Sequence, residues 1–294
     1  MATCSRSPNS TNMTLAPPQP YLFSDGSGAL ERFVGFSTRN TSRRNVDVWL
    51  PPAYTSQPGS RFPVVYMHDG QNLFDPALAF GGVVWGIDEA VNRLVTAGIV
   101  PGVIVVGIWN SPQRWRDYMP ARPLLDPRAA VLRDTFAYQN GGEPLSGGYL
   151  RFLVEELKPA IDQHYRTLPE REHTFVLGSS MGGLISLYAL VEYPEVFGGA
   201  GCLSTHWPAG GDLLVEGLGN ALPAAGHHKL YFDFGTATLD AGYEPFQEKM
   251  DRLMRAAGYR LGRDWLTRKF EGAEHSELAW RARVGLPLAF LLTR

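Results

Sequence analysis

This sequence predicts an α/β protein with a mostly parallel central sheet and helices on both faces, on three observations. Short Val-rich apolar runs such as FPVVYMHDG and GVIVVGIWN stop abruptly at Gly or polar residues, as strands buried on both faces do. Stretches of helical spacing, VVWGIDEAVNRLVTAG the first of them, lie between such runs. The two kinds alternate to the C-terminus, and a strand that rejoins its sheet through a helix rejoins it parallel.

Taken in order, MATCSRSPNSTNMTLAPPQP is rich in Pro and Ser and reads as a flexible tail over residues 1–20. No fixed-period repeat or interdomain linker follows, so residues 21–294 are expected to form one catalytic domain. ALERFVGFSTRN and NVDVWLPPAY show broken period-two alternation and suggest an opening antiparallel pair. The strand FPVVYMHDG, a helix with a Gly stop and the strand GVIVVGIWN come next. Residues at about 110–148 are rich in Pro, Arg and Gly without a long period, and read as a large surface excursion of the kind that is usually functional or disordered. GGYLRFLVEELKPAIDQHY is then helical, HTFVLG a strand, MGGLISLYALVEYP a helix, and GGAGCLS and HKLYFDFG strands. EPFQEKMDRLMRAAG is a helix, DWLTRKFEG a strand and SELAWRARVGLPLAFLL a closing helix.

Composition narrows the chemistry. Lys plus Arg number 27 against 29 for Asp plus Glu, without a basic block, so neither a nucleic acid nor an anionic membrane is an expected partner. A small molecule is. The two cysteines are Cys4, in the polar tail, and Cys202, in an apolar run where it reads as a small buried hydrophobe, so no disulfide framework is expected. The start has neither a basic n-region nor an apolar h-region, and no segment reaches the roughly 18 apolar residues of a membrane span, so the chain is expected to be soluble and cytoplasmic. Asn9, Asn12 and Asn40 begin glycosylation sequons, which mean little without a leader.

In sheets of this kind, ligands bind beyond the carboxyl ends of the strands. The stretch FVLGSSMGG, Phe175 to Gly183, puts Gly178, Ser180 and Gly182 in the spacing GxSxG between a strand and a helix. There the glycines let strand and helix approach, while the serine sits on a strained turn with its hydroxyl above the sheet. The helix start that follows aims amide N–H groups at developing negative charge. The competing reading is a glycine-rich turn selected for packing alone. A serine hydroxyl needs a base, and the base needs a carboxylate to hold it. His275 follows the predicted strand WLTRKFEG, and LYFDFGTATLD puts Asp233 inside a strand and Asp240 in the loop past its end. Asp240 is the expected acid, because a loop beyond the Gly235 break can curl toward His275, whereas alternation fixes the direction of a strand residue. Asp233 is the rival.

The segments NVDVWLPPAY, VVYMHDGQNLFD, GIWNSPQRWRDYMP, GGYLRFLVEELKPAID, VLGSSMGGLISLYAL, FDFGTATLD and GAEHSELAW, in this order, resemble the esterase branch of the α/β-hydrolases. That group is similar to feruloyl and acetyl-xylan esterases, enterochelin esterases and S-formylglutathione hydrolases. The resemblance implies the α/β-hydrolase fold and hydrolysis of short-chain or aryl esters through an acyl-enzyme, with Ser180 as nucleophile and His275 as its base. It carries the acid less securely, since the spacing after the group's Gly-Thr turn varies. In those enzymes the turn after the third strand supplies the second oxyanion donor, so the amide of Gln71, or of neighbouring Gly70, is expected to join that of Met181.

The remaining candidates are weighed against simpler roles. His68, Asp69 and Asp75 match no standard zinc spacing and an activated serine needs no metal, so neither metal nor cofactor is expected. Trp85, Trp109, Trp115, Tyr118 and Trp207 lie past predicted strands or in the excursion, where they wall a substrate pocket or simply pack. Arg114 and Arg116 either meet a carboxylate or solvate the loop. The same triad would serve an acyltransferase or a thioesterase, whereas a noncatalytic binding protein on this scaffold would usually lack one member. Oligomeric state is left open. Because no step of serine ester hydrolysis uses a Lewis acid, turnover should be equal with and without EDTA; a loss restored by a divalent ion would reassign His68 and Asp69 as ligands.

Overall fold

The computed structural model describes residues 16–21 and 28–293. Cys4, Asn9 and Asn12 lie outside the described residues. Among the described residues, β1 (Gln19–Tyr21), β2 (Ala29–Phe36) and β3 (Arg44–Leu50) pair antiparallel, and β3 pairs antiparallel with β5 (Ile104–Ile108). From β5 the sheet runs parallel through β4 (Val64–His68), β6 (Thr174–Ser179), β7 (Gly199–Leu203), β8 (Lys229–Gly235) and β9 (Trp265–Phe270). This is the mostly parallel central sheet that the sequence predicts. The expected tail boundary at residue 20 falls inside β1, which pairs with Leu30 to Arg32 at the sheet edge.

Period-two alternation splits the central strands between two cores. Val64 and Tyr66 of β4 join Val106, Val176 and Phe232 on one face, while Val65 and Met67 join Val105, Leu177 and Tyr231 on the other. The first face is covered by a long series of helices: α1 (Pro52–Ser56), α3 (Arg114–Tyr118), α4 (Ala130–Asn140), α5 (Ser146–Arg151), α6 (Lys158–His164), α7 (Met181–Glu192), α8 (Gly211–Gly219) and α9 (Glu244–Ala256). The second is covered by α2 (Ile87–Thr96), α10 (Glu277–Arg283) and α11 (Gly285–Leu292). Cys202 is buried in β7 as a free thiol. Among the described residues no helix is long and apolar enough to cross a membrane.

Helix α8, like β1, is not among the expected elements, and three expected helices differ from the sequence reading for local reasons. Helix α2 starts at Ile87 rather than near Val83, because Gly86 takes a left-handed φ of 57° and a Cβ there would meet the Arg281 guanidinium at 2.8 Å. A π-helical stretch, Phe152–Leu157, separates α5 from α6 just before Pro159, whose missing N–H removes one intrahelical bond. The closing helix divides into α10 and α11 at Gly285, with Pro287 in the first turn of the second, where proline is tolerated.

The excursion is a packed cover that contains α3, α4 and the start of α5. Arg44 of β3 reaches Asp117 of α3 at 3.2 Å with both side chains no more than 1% exposed, and Ser111 Oγ donates to the same carboxylate at 2.7 Å. Removing one partner of such a pair strands a buried charge. Asp117→Asn should therefore lower the free energy of unfolding in denaturant by about 3–5 kcal/mol; a change below roughly 0.5 kcal/mol, the size of an ordinary surface substitution, would mean that other contacts hold the cover.

Candidate active site

The turn from β6 to α7 combines close packing with strain. Ser180 has φ 57° and ψ −123°, a region that costs a non-glycine residue about 1–3 kcal/mol. Its backbone is held on every side: the amide donates to Leu203 O at 2.9 Å, and the carbonyl accepts from Gly183, Leu184 and His206 amides at 3.0, 3.2 and 3.2 Å. A Cβ on Gly178 would stand 2.8 Å from the backbone of Gly182, so glycine is required where strand and helix cross. The packing reading thus accounts for the glycines but not for a strained, half-buried serine.

His275 lies in the turn between β9 and α10, and its Nδ1 is 2.6 Å from Asp240 Oδ1. Asp240 sits in the 3-10 turn Thr238–Gly242 after β8, and its Oδ2 accepts from the Gly235 amide at 2.7 Å and from Ser204 Oγ at 2.6 Å. Burial pushes this carboxyl up, but the bonds from His275, Ser204 and Gly235 outweigh it and hold the group below its ordinary range. Thr238, itself at positive φ, accepts the His275 amide on its Oγ1 at 2.8 Å. The two loops touch so closely that a Cβ on Gly235 would meet Ala273 O at 2.1 Å.

Asp233 has a different role. In β8 it accepts from Arg283 at 3.0 Å, from the Ser204 amide at 3.2 Å and from the Tyr231 hydroxyl at 3.1 Å. Burial raises its pKa to about 6 against the pull of Arg283. Ser204, at φ 41°, joins the two acids: its Oγ accepts from Trp280 Nε1 at 2.9 Å and from Arg283 at 2.7 Å while donating to Asp240. The Trp280 ring in turn meets His275 edge-on at 4.9 Å.

On the other side of Ser180, Asp69 follows β4 in the left-handed conformation, φ 57°, and opens the 3-10 turn Gly70–Asn72. Gly70 has no room for a Cβ, which would stand 2.3 Å from the backbone of Gly107 in β5. Arg114 grips Asp69 with two bonds of 2.7 Å, and Asn110 adds a third at 2.6 Å. Burial would raise Asp69, yet Arg114 holds it below the usual carboxylate range. The amides of Met181 and Gln71 occupy the first turns of their helices, positions without an intrahelical acceptor. His68 is buried, with Nδ1 2.7 Å from the Tyr149 hydroxyl, and burial lowers its pKa to about 3, so it is neutral. Asp75 accepts from the Tyr21 hydroxyl. The three side chains weighed as metal ligands thus each have protein partners of their own.

The aromatic candidates divide. Trp85, Tyr118 and Trp207 are each at most 4% exposed and packed in the cores, a correction to their expected place on a pocket wall. Trp85 backs Trp280 at 5.7 Å, Tyr118 lies under the Asp69 turn, and Trp207 donates to Gln247 at 3.1 Å. Trp109 is tied to Asp47 at 2.9 Å beneath Arg32. Trp115 alone of the five is exposed, at 45%, and its ring meets His206 edge-on at 5.6 Å. Arg114 meets a carboxylate of its own chain, and Arg116 donates to Glu143 O at 2.8 Å. Sequence reasoning missed Ser204, His206, Trp280 and Arg283. STHW was legible as a candidate, since it directly follows a strand's carboxyl end.

The family model described as Esterase, "Putative esterase", matches residues 37–221. The ferri-bacillibactin esterase BesA of Bacillus subtilis is 30% identical over 179 residues, 58% of this chain and 57% of that one. The chain spans less than two thirds of the length of such curated relatives. Among solved structures, a BES protein from Bacillus cereus superposes with a TM-score of 0.67 at 18% identity, covering 96% of this chain and 100% of the other. An S-formylglutathione hydrolase from Agrobacterium tumefaciens does so with a TM-score of 0.60 at 16% identity, covering 93% and 97%. These two likenesses establish the fold.

The geometry separates the two acids experimentally. Asp240→Asn should lower kcat for a p-nitrophenyl ester by on the order of 10³ to 10⁴, because the amide favours the wrong imidazole tautomer and cannot stabilise imidazolium. Asp233→Asn should instead lower the melting temperature and leave much of the activity in the folded fraction. The reverse pattern in two folded variants would make Asp233 the acid.

Proposed function

The chain belongs to the Esterase family, and on that premise we propose that it is a serine carboxylesterase that cleaves short-chain or aryl esters through an acyl-enzyme. The reading treats residues 21–294 as one catalytic domain. It rests above all on one observation, the 2.6 Å bond between His275 and a buried, fully bonded Asp240 on the loop edge that also carries the strained Ser180.

In the proposed cycle, His275 Nε2 takes the proton of Ser180 as its Oγ attacks the ester carbonyl carbon. Asp240 keeps the other ring proton on Nδ1 and stabilises the imidazolium that forms. The amides of Met181 and Gln71 hold the oxyanion, and removing one such donor typically costs about 2.7–4 kcal/mol of transition-state stabilisation. His275 then gives its proton to the leaving alcohol, and water repeats the sequence to release the acid. Both oxyanion donors belong to the backbone, so what protects them is the anchoring of the Asp69 turn and the elbow.

Phe80, whose amide donates to Asn72 of the Gly70–Asn72 turn at 2.9 Å, is 76% exposed. Trp115, Leu239 beside Asp240, and Leu278 after the His275 loop are exposed as well. These apolar groups on separate loops favour an aryl or short acyl group. Arg114 and Asp69 satisfy each other, and the half-buried Glu277 carboxylate stands near them and His275, so these groups leave no unpaired positive charge for an anionic ester.

Fluorophosphonate labelling with peptide mapping tests the reading directly. The label should fall on Ser180, and Ser180→Ala should lose both labelling and esterase turnover while melting like the wild type. Labelling at Ser179 would sink the assignment. Among p-nitrophenyl esters, acetate and butanoate should be turned over faster than long-chain acyl esters, and adding an alcohol or thiol acceptor should not divert the acyl group from water.

A further inference from the structure

His206 lies in the loop after β7, with its ring 6.3 Å from that of His275. Its amide donates to the carbonyl of Ser180 at 3.2 Å, so its position is fixed relative to the elbow itself. Its ring stands edge-on to Trp115 at 5.6 Å, to Tyr243 at 5.8 Å and to His275 at 6.3 Å. It is thus one neighbour from the base and one from the exposed aromatic of the rim. The side chain is half-buried, neither a surface histidine nor a core one.

The partner of the ring settles which nitrogen carries the proton. Nδ1 is hydrogen-bonded to the hydroxyl of Tyr243, a residue 1% exposed in the turn before α9. A phenol is the stronger donor and an imidazole nitrogen the better acceptor, so Tyr243 donates and the ring proton sits on Nε2. Burial, with His275 and Arg114 nearby, pushes the pKa of His206 down to about 4, so the ring is neutral near pH 7. Among the described residues nothing occupies Nε2. The side chain is therefore a single N–H donor held in a fixed direction, without a charge and without a partner of its own.

Resting on the esterase reading, we propose that His206 is a specificity-determining residue whose Nε2–H binds a neutral oxygen, ether, hydroxyl or carbonyl, on the ester group flanking the scissile carbonyl, with Trp115 covering the adjoining carbon surface. An N–H aimed by a buried phenol favours a substrate that carries such an oxygen over one of the same shape that lacks it, because the second leaves the donor unsatisfied. Tyr243 is the positioning residue for this contact.

Two isosteric pairs of esters test it. On the acyl side, p-nitrophenyl methoxyacetate is compared with p-nitrophenyl butanoate; on the alcohol side, ortho-methoxyphenyl acetate with ortho-ethylphenyl acetate. Each pair differs by one oxygen for one methylene, and intrinsic reactivity cancels when the ratio of kcat/KM is compared between proteins. His206→Phe should lower the wild-type preference for the oxygen member about tenfold in one of the pairs, mainly through KM. His206→Gln, which keeps an N–H donor, should restore part of it, and Tyr243→Phe should lose part of it. If the phenylalanine variant does not fold, His206→Leu serves the same comparison. Unchanged ratios in both pairs, or an equal fall of kcat for all four esters, would overturn the role of His206. Fluorophosphonate labelling keeps the two claims apart: labelled proteins with unchanged ratios overturn only this inference, whereas a wild-type protein that does not label at Ser180 overturns the esterase reading beneath it.

Discussion

A carboxylate taken out of water must find its hydrogen bonds inside the protein, and the arrangement of this site follows from how Asp240 finds them. Its two oxygens meet His275, the Gly235 amide and the Ser204 hydroxyl, each at 2.7 Å or less. Those partners belong to the β9–α10 turn, the end of β8 and the end of β7. One buried charge therefore ties three loops at the carboxyl edge into one arrangement, and an unmade bond there would carry the full desolvation cost. The close approach of Gly235 to Ala273 is the steric side of the same constraint.

Two acids stand close together, and their surroundings assign them separate work. Asp233 is compensated by Arg283 inside the sheet, whereas Asp240 is compensated by neutral donors and by a histidine that can gain a proton. A carboxylate already committed to a guanidinium has little left to offer an imidazolium. Ser204 lies between the two and accepts from Arg283 at 2.7 Å, while the same guanidinium stands 3.9 Å from Asp240 against 3.0 Å from Asp233. On the far side of the elbow, Arg114 and Asp69 form the equivalent anchor for the Gly70–Asn72 turn. The strain at Ser180 is sustained between these two rigid margins.

Much of this was legible because local chemistry and position agree. Val-rich runs ending in Gly marked the parallel strands, GxSxG between strand and helix marked the elbow, and the Gly235 break distinguished a loop acid from a strand acid. What was not legible depends on contacts between distant segments. Trp85, Tyr118 and Trp207 lie where pocket walls are expected, yet each is drawn inward by a partner far along the chain: Trp280, the Asp69 turn and Gln247. Nothing local says that Arg114 will find Asp69, 45 residues before it, or that Ser204 will join two acids. The excursion appeared irregular because its helical pieces are short, and the buried pair that ties it to β3, Arg44 with Asp117, joins residues 73 apart in the chain.

The central claim is that Asp240, bonded at 2.6 Å, fixes a proton of His275 on Nδ1. Nitrogen-15 NMR of the histidine-labelled protein near pH 7 reads that proton directly. The account predicts a proton on Nδ1 of His275, its resonance shifted far downfield by the short bond to the Asp240 carboxylate. An Nδ1 of His275 without a proton, and no downfield resonance, would contradict it.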